Sequence, residues 1–180
     1  KRRIAERAAR CVQPGETVML ESGSCCTLLA EELCARDCHI TIITNSAFIA
    51  SFVRKMRSAR IILLGGSYQN DAQVMVGPLV GLCARNFKVD KFFLGIDGMD
   101  ERGVKSSDHL RIEAAQAMAA QARGIIVLTE SVKFHRDASE LIFPYENIRA
   151  IYTDADVADS DIKRCQALGP EIVTAAKRRS

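Results

Sequence analysis

Long apolar runs are absent from this sequence. No stretch reaches the roughly eighteen consecutive apolar residues that a membrane-spanning helix requires, and the first residues do not form a signal peptide. We therefore expect neither a membrane span nor secretion, which makes a cytoplasmic location the default. The 180 residues, 48% of them hydrophobic, are enough for one sizeable core. No repeat, low-complexity tract or linker divides the chain, so we expect a single domain.

Metal-binding and redox motifs are also absent. The seven cysteines include no CxxC pair, and no second cysteine or histidine pair completes a site with Cys34 and Cys38. The three histidines form no recognisable metal site or catalytic triad. We expect reduced cysteines, most of them buried as small apolar side chains, with no metal and no other cofactor.

The excess of positive charge is small. The net charge is +3, and the visible basic clusters are Lys1–Arg3 and Lys177–Arg179 at the two ends. Terminal basic clusters are usually solvated, and no basic face is large enough to indicate DNA binding by this chain. Because the first residue is lysine, we expect a piece of a longer protein.

Apolar runs with β-branched residues alternate along the chain with patterns of helical period. The expected strands are Thr17–Leu20, His39–Thr44, Arg60–Leu64, Lys91–Ile96, Gly124–Thr129 and Ile148–Thr153, with Glu171–Thr174 as a final edge strand. Such an alternation is typical of an α/β protein whose mostly parallel sheet is covered by helices on both faces.

Helical patterns fill most of the segments between these strands. They cover Ile4–Val12, the segment after Ser24, a segment with a stripe of Ile49, Phe52, Val53 and Met56, then 79–85, 110–122 and a last helix that ends at Leu168. Asn45-Ser46 is expected to cap the third of these, and Asp159 or Ser160 the last. Ser67–Val76 has no helical stripe and indicates a loop or hairpin.

The stretch Glu21–Thr27 is a glycine-centred turn between the first strand and an amphipathic helix. The amide groups of the first helical turn and the helix dipole favour a phosphate or a carboxylate there. Serine and glycine before a helix are also ordinary capping residues, so this turn alone is weak evidence for a ligand. A reactive Cys25-Cys26 pair is conceivable at a helix start, but simple packing is the favoured interpretation.

Small and polar residues follow several other strands, and ligands of open parallel sheets bind at the carboxyl ends of the strands. The positions concerned are Ser22, Gly23, Ser24, Asn45, Ser46, Gly65, Gly66, Asp97, Gly98, Lys133 and Asp154. Taken singly, each is more often a turn or a cap. Five such junctions at one edge favour a site for an anionic metabolite.

Four charged residues have candidate chemical roles. Lys133 could supply a point charge to a phosphate, although surface lysines are usually solvated. Asp97 and Asp100 could accept hydrogen bonds from sugar hydroxyls or serve as a general base, while Asp100 could equally shape its turn. Glu113 could reach the same space, although a glutamate early in a helix is favourable without a ligand.

The order of these motifs resembles the C-terminal effector-sensing domain of the deoxyribose-operon-repressor (DeoR) family of bacterial transcription regulators. The resemblance covers Ile4 to about Val173 and is carried by PGETVMLESGS, TIITNS, ILLGGSY, VGPL, KFFLGIDGMD, the Glu113-Ala114 helix, LTESVKF and IYTD. It implies a Rossmann-like sheet related to ribose-5-phosphate isomerase and glucosamine-phosphate deaminase. It further implies a non-catalytic, homo-oligomeric sensor that binds a phosphorylated sugar, with DNA binding left to an N-terminal winged helix-turn-helix that this chain lacks.

Carried over by position, the resemblance implies an effector site. Its phosphate loop would be Ser22, Gly23, Ser24, Cys25 and Cys26, and around the same pocket would lie Asn45, Gly65, Gly66, Asp97, Gly98 and Lys133. The chain departs from the family pattern where Cys25 and Cys26 replace threonines and where Glu130 and Val132 replace aspartate and serine. Two hydroxyl donors are thereby lost from the loop, which puts phosphate affinity and ligand choice in question.

A sugar-phosphate isomerase is the alternative, with Asp97, Asp100 and Glu113 as its carboxylates. Against it, the lysine followed by a glycine-rich loop of that enzyme has no counterpart near Gly103–Ser106, so stabilisation of the charge on an enediolate intermediate is hard to assign. A third hypothesis is that the chain is a protein-interaction module with a vestigial pocket. Stabilisation by a sugar phosphate without turnover would distinguish the sensor from both.

Overall fold

Short strands and helices alternate throughout the computed structural model, which describes residues 1–36, 39–55 and 59–175. The strands are β1 (Thr17–Leu20), β2 (Ile40–Thr44), β3 (Ala59–Leu63), β4 (Ser67–Gln69), β5 (Val74–Val76), β6 (Lys91–Leu94), β7 (Gly98–Met99), β8 (Gly103–Ser106), β9 (Ile125–Leu128), β10 (Glu140–Pro144), β11 (Ile148–Thr153) and β12 (Glu171–Thr174). The helices are α1 (Arg2–Ala9), α2 (Ser24–Ala35), α3 (Ala47–Val53), α4 (Pro78–Ala84), α5 (His109–Ala119) and α6 (Asp159–Ala167). Two 3₁₀ turns cover Ser131–His135 and Tyr145–Asn147.

Seven parallel strands form the central sheet, in the order β12-β11-β9-β6-β1-β2-β3. The chain builds this sheet outward from β1 through β2 to β3, and then returns to the other side of β1 with β6. The strand order therefore reverses between β1 and β6. In sheets of this Rossmann-like type, a crevice opens outside the carboxyl ends of the strands at such a reversal.

Alternate residues of the central strands face two separate cores. Val18 and Leu20 pack with buried residues of α1, α2 and α3, while Met19 between them packs with residues of α4, α5 and α6. This two-sided burial explains why the strands read as continuous apolar runs rather than as alternating patterns. The predicted α/β fold, a parallel sheet with helices on both faces, is confirmed.

Two small antiparallel sheets lie outside the main one. Strands β4 and β5 form the hairpin that the stretch Ser67–Val76 suggested. Strands β7, β8 and β10 form a sheet that we did not predict. Strand β7 has only two residues and β10 pairs with β8 across more than thirty residues of sequence, so no local pattern marked either of them.

Several local predictions can be compared with these elements. Ser46 caps α3 by accepting a hydrogen bond from the Ile49 amide (3.2 Å), as expected. The predicted cap of α6 is wrong, because Ala158 occupies the cap position and Asp159 is the first helical residue. Cys38, Met56 and the cluster Lys177–Arg179 lie outside the described residues.

The described cysteines contain no disulfide. Cys25, Cys26, Cys34 and Cys165 are buried, whereas Cys11 and Cys83 are half-buried. No group of acidic, cysteine or histidine side chains in the described segments is arranged to hold a metal ion. Across the same segments, no helix has the length and apolar character needed to cross a bilayer.

Candidate functional site

A cavity of about 290 Å³ opens at the carboxyl ends of β1, β6 and β9, where the strand order of the sheet reverses. Its walls include Glu21–Cys25 after β1, Leu94–Asp97 at the end of β6, and Leu128–Glu130 at the end of β9. Helix α5 closes one side with Arg111, Ile112 and Ala115, and Ala72 at the tip of the β4–β5 hairpin reaches the rim. The cavity therefore lies where the sheet topology places a ligand site.

The N-terminus of α2 forms one wall of this cavity. Gly23 is the cap residue of this helix and no side chain caps its first turn, which begins with Ser24 and Cys25. The first helical hydrogen bond runs from the Thr27 amide to the Gly23 carbonyl (3.0 Å), so the preceding amide groups have no partner within the helix. Uncapped amides at a positive helix end favour an anion.

Two glycines bring the loops after β1 and β6 into direct contact. A Cβ atom on Gly23 would lie 3.1 Å from the Gly95 Cα atom, which is tighter than most Cβ contacts in proteins, so one of the two loops would have to move by a few tenths of an ångström. The Gly95 amide also donates weakly to the Glu21 carboxylate (3.4 Å). The first turn of α2 is thereby fixed against the end of β6.

An ion pair between Glu21 and Arg111 joins the β1 loop to α5. Glu21 is only 5% exposed, and its carboxylate accepts hydrogen bonds from the Gly23 amide (2.8 Å), the Ser22 hydroxyl (2.7 Å) and Arg111 Nη2 (2.8 Å). Nη2 of Arg111 also donates to Ser22 Oγ (3.2 Å). Burial opposes the charge on Arg111, but the nearby carboxylates of Glu21 and Asp108 raise its pKa.

Asp97 and Lys133 also line the cavity. Asp97 accepts hydrogen bonds from the Ser106 hydroxyl (2.6 Å) and the Ser107 amide (3.2 Å). Burial would raise the pKa of Asp97, but these hydrogen bonds and the charges of Lys133 and Arg111 lower it, so the group is an ionised acceptor at neutral pH. The ammonium of Lys133 donates to the Ile96 carbonyl.

Lys1 completes the rim beside Cys25. Its ammonium pairs with Glu130 (3.4 Å). Burial raises the pKa of the Cys25 thiol, while the positive charges of Lys1 and Lys133 reduce this shift. The positive charges of Lys1 and Lys133 therefore act near Cys25, and Arg111 lies beside Ser22 (3.2 Å).

Of the residues expected to bind the effector, the structure brings together Ser22, Gly23, Ser24, Cys25, Asp97 and Lys133 in this cavity. The remaining ones lie elsewhere in the described part of the chain. Cys26 is fully buried and its thiol donates to the Phe93 carbonyl (3.5 Å). Asn45 is buried beneath the β4–β5 hairpin, where its side-chain amide donates to the Met75 carbonyl (2.9 Å).

The other predicted glycines are explained by backbone packing. A Cβ atom on Gly66 would lie 2.7 Å from the Val76 carbonyl oxygen, and one on Gly98 would lie 2.0 Å from the Arg136 carbonyl oxygen. Gly65 is exposed, and its nearest neighbour would be Cys83 Sγ at 3.6 Å. These three positions are not in the cavity wall, and Asp154 instead accepts the Ser131 amide (2.9 Å).

Neither additional carboxylate of the isomerase alternative lines the cavity. Asp100 accepts hydrogen bonds from the Arg102 amide (2.9 Å) and pairs with Lys105 (3.2 Å), so it shapes the β7–β8 turn. Burial opposes ionisation of Asp100, but these contacts lower its pKa to about 2. Glu113 is 54% exposed and pairs with His109 (3.4 Å) on the surface of α5.

Sequence reasoning missed Glu21, Gly95, Arg111 and Ser106. One signal was available for Glu21, because a charged residue directly after a buried strand needs a partner. Arg111 lies in an alanine-rich helix with surface-like spacing, and nothing local indicated that it reaches β1.

The comparisons with known proteins identify the family of this chain. A family model described as the DeoR C terminal sensor domain matches residues 1–155. The chain belongs to this sensor-domain family. The expectation drawn from the motif order is thus confirmed.

The relatives of this sensor domain are transcription regulators. It is 27% identical over 174 residues to a putative aga operon transcriptional repressor of Escherichia coli O157:H7, covering 96% of this chain and 64% of the relative. It is also 27% identical to the HTH-type transcriptional regulator UlaR of Shigella dysenteriae serotype 1 (strain Sd197), covering 96% of this chain and 68% of the relative. The chain thus spans about two thirds of these regulators.

The sensor domain also shares its fold with an enzyme. Ribose 5-phosphate isomerase A of Methanocaldococcus jannaschii superposes with a TM-score of 0.54 over 73% of this chain and 52% of the isomerase, at 18% sequence identity. At this identity the likeness concerns the fold alone. The Rossmann-like, isomerase-like fold implied by the motifs is therefore confirmed.

Proposed function

We propose that this chain is the effector-sensing domain of a sugar-metabolism transcription regulator, that it binds a phosphorylated sugar in the cavity at the β1–β6 reversal, and that it has no catalytic activity. The observation that supports this proposal best is the uncapped N-terminus of α2, which forms a wall of the cavity beside Lys1 and Lys133. Backbone amides, a helix dipole and ammonium groups are together a favourable environment for a phosphate.

The sugar would lie between the phosphate loop and Asp97. An ionised carboxylate accepts hydrogen bonds from hydroxyl groups, and Asp97 is held in position by Ser106 and Ser107. Apolar parts of the ligand would contact Ile96 and Ile112 on the cavity wall. A site with few fixed polar groups among apolar side chains is typical of small-molecule pockets.

A sensor rather than an isomerase fits the placement of the acidic residues. Proton transfer between two carbons needs a base within reach of the substrate, and of the three carboxylates considered for that reaction only Asp97 lies in the cavity. Arg111 also lines the cavity, but its guanidinium stays protonated and therefore cannot act as the base. The proposed cavity thus lacks Asp100 and Glu113, two of the three carboxylates on which the isomerase alternative depends.

Regulation would operate by a shift of populations. A ligand that binds one arrangement of the loops, or of subunits in a homo-oligomer, more tightly than another biases attached DNA-binding segments. In this proposal DNA contact belongs to a segment outside the 180 residues, the protein acts in the cytoplasm, and the 180 residues form a single sensor unit.

The test combines a thermal-shift screen with an activity assay. Purified protein is incubated with aldose and ketose phosphates of three to six carbons and with the matching unphosphorylated sugars. The proposal expects a concentration-dependent rise in melting temperature with at least one phosphorylated sugar, no rise with its unphosphorylated form, and no aldose–ketose interconversion. Saturable turnover that Asp97→Asn abolishes would establish the isomerase instead, and no stabilisation by any phosphorylated compound would contradict the proposed ligand class.

A further inference from the structure

Lys105 on β8 is a buried charged residue that does not itself line the cavity. Its side chain is only 5% exposed, and the neighbouring Ser106 is the residue of this strand that reaches the cavity wall. The Lys105 ammonium pairs with Asp137 (2.5 Å) and with Asp100 (3.2 Å). The hydrogen bond to Asp137 raises the pKa of Lys105, burial opposes this rise, and Asp100 adds to it. Because a buried ion pair contributes little net stability, stability alone is a weak explanation for this lysine.

Strand β8 connects two parts of the cavity wall, because successive residues of a strand face opposite sides of their sheet. Ser106 donates to the Asp97 carboxylate (2.6 Å), and the Lys105 carbonyl accepts the Asp97 amide (2.9 Å). The side chain of Lys105 extends instead to Asp137, in the loop after the 3₁₀ turn that carries Lys133. The same strand therefore holds Asp97 directly and contacts the segment of Lys133.

A short series of contacts leads from Lys105 to Lys133. The carbonyl of Lys133 accepts the Arg136 amide (3.3 Å), and the carbonyl of Arg136 accepts the Met99 amide of β7 (2.9 Å). Asp137, the next residue, pairs with Lys105, and its carboxylate otherwise accepts only the adjacent Ala138 amide among the described residues. Two consecutive residues thus attach the end of the 3₁₀ turn to β7 and β8, one through its main chain and one through its side chain.

The start of this 3₁₀ turn is attached as well. The Ser131 amide donates to the Asp154 carboxylate at the end of β11 (2.9 Å). A turn of five residues has too few internal hydrogen bonds to be stable alone, so its geometry depends on contacts at its two ends. The position of Lys133 in the cavity wall is therefore set by Asp154 on one side and by the contact with Lys105 on the other.

We propose that Lys105 is a positioning residue of the effector site, which holds Lys133 in place for the phosphate through its ion pair with Asp137. This inference rests on the proposed function, because it takes the phosphate to lie at the N-terminus of α2 beside Lys133. The Lys133 ammonium already donates to the Ile96 carbonyl, so both its main chain and its charged end are fixed. A lysine that is ordered before the ligand arrives loses less conformational entropy on binding, which increases affinity.

The experiment compares two buried lysines at opposite ends of the sheet. Lys105→Met removes the ammonium, and Asp137→Ala removes its partner. Lys91→Met is the matched control, because Lys91 has a side chain that is 11% exposed and pairs with Glu16 (2.5 Å), but it is the first residue of β6, at the strand end away from the cavity. Dissociation constants are measured by calorimetry for inorganic phosphate and for each aldose or ketose phosphate of three to six carbons that stabilises the unmodified protein.

Lys105→Met and Asp137→Ala are each expected to weaken binding of the phosphorylated sugar about fivefold, the size of effect found between residues of one contact network. Lys91→Met should change the dissociation constant by less than about twofold, although it also lowers the melting temperature. In a Lys133→Ala protein the positioned group is gone, so adding Lys105→Met or Asp137→Ala should weaken binding by less than about twofold. This loss of effect is a result that a merely structural role of Lys105 does not produce.

Unchanged affinity in Lys105→Met and Asp137→Ala would overturn the inference while leaving the proposed sugar-phosphate site intact. Equal weakening by Lys91→Met, or a fivefold loss that persists in the Lys133→Ala protein, would also overturn it. If no phosphorylated compound binds the unmodified protein, the proposed function fails and the inference fails with it. Circular dichroism shows which variants are folded, and if Lys105→Met is not, Asp137→Ala decides, because the Asp137 side chain is 79% exposed.

Discussion

Nη2 of Arg111 on α5 lies 2.8 Å from Oε1 of Glu21, the residue that directly follows β1. The two residues are 90 positions apart in the chain, and their contact fixes the first turn of α2 against the helix that closes the cavity. Because Glu21 is almost fully buried, this ion pair belongs to the interior rather than to the surface.

Glu21→Gln is expected to destabilise the protein. The substitution leaves the Arg111 charge without its acid, but Arg111 is partly exposed, so we expect a loss of about 2 kcal/mol rather than the full cost of breaking a buried pair. Urea unfolding followed by circular dichroism measures this difference. Glu113→Gln removes a carboxylate from the exposed face of α5 and should change the free energy of unfolding by less than about 0.5 kcal/mol. Equal effects of the two substitutions would show that the pair is not structurally important.

Cys25 and Cys26 are expected to respond differently to substitution by hydroxyl residues. Cys25 lines the cavity, so Cys25→Ser places a better donor beside the first-turn amides and should tighten binding of a phosphorylated ligand about threefold. Cys26 is fully buried, so Cys26→Thr adds a methyl group to a filled core and should lower stability by about 1 to 3 kcal/mol. Calorimetric titration and urea unfolding separate the two effects. Weaker ligand binding by Cys25→Ser would argue against a phosphate at this position.

The three glycines outside the cavity provide a test of backbone packing. Gly98→Ala and Gly66→Ala would each force a Cβ atom to within 2.7 Å or less of a carbonyl oxygen, and we expect losses of about 2 kcal/mol or more. Gly65→Ala meets its nearest neighbour at 3.6 Å and should change stability by less than about 0.5 kcal/mol. Thermal unfolding of the three variants gives the ranking. A large loss for Gly65→Ala alone would contradict the packing argument.

His109 should contribute stability that depends on pH. The carboxylates of Glu140 (2.8 Å) and Glu113 (3.4 Å) raise its pKa above the ordinary value of 6.5. A group whose folded-state pKa is raised stabilises the protein below its unfolded pKa, and this contribution is lost as the pH rises through the folded value. The difference in unfolding free energy between the unmodified protein and His109→Gln should therefore be largest near about pH 5.5 and shrink toward about pH 8.5. A difference that grows with pH would contradict this assignment.

The sequence patterns predicted the central sheet well because its signals are local. Runs such as Ile40–Thr44 and Ile148–Thr153 are mostly buried on both faces, so each strand is largely apolar. The hairpin after β3 was also indicated by its polar, non-helical composition. The sheet formed by β7, β8 and β10 had no such signal, because its pairing depends on residues that meet only in the folded chain.

For the proposed site, the sequence indicated the sheet edge at which the cavity opens, and several of the predicted residues lie outside the cavity wall. Polar and glycine positions at strand ends have similar sequence signatures whether they contact a ligand, cap a helix or allow two backbones to approach. Ser46 caps a helix and Gly98 packs against the Arg136 carbonyl, whereas Ser24 and Asp97 line the cavity. Conversely, the Arg111–Glu21 contact joins residues that are 90 positions apart in the chain, so only the structure reveals it.

The most direct test of the cavity as an effector site is a two-dimensional amide NMR titration with phosphorylated sugars. The account predicts that saturable shifts on addition of a binding compound are largest for the amides of Ser22–Cys25, Gly95 and Asp97, and that those around Gly65 and Asp100 change little. A binding compound whose largest shifts lie away from the β1 and β6 loops, or a complete absence of shifts with every phosphorylated compound, would contradict it.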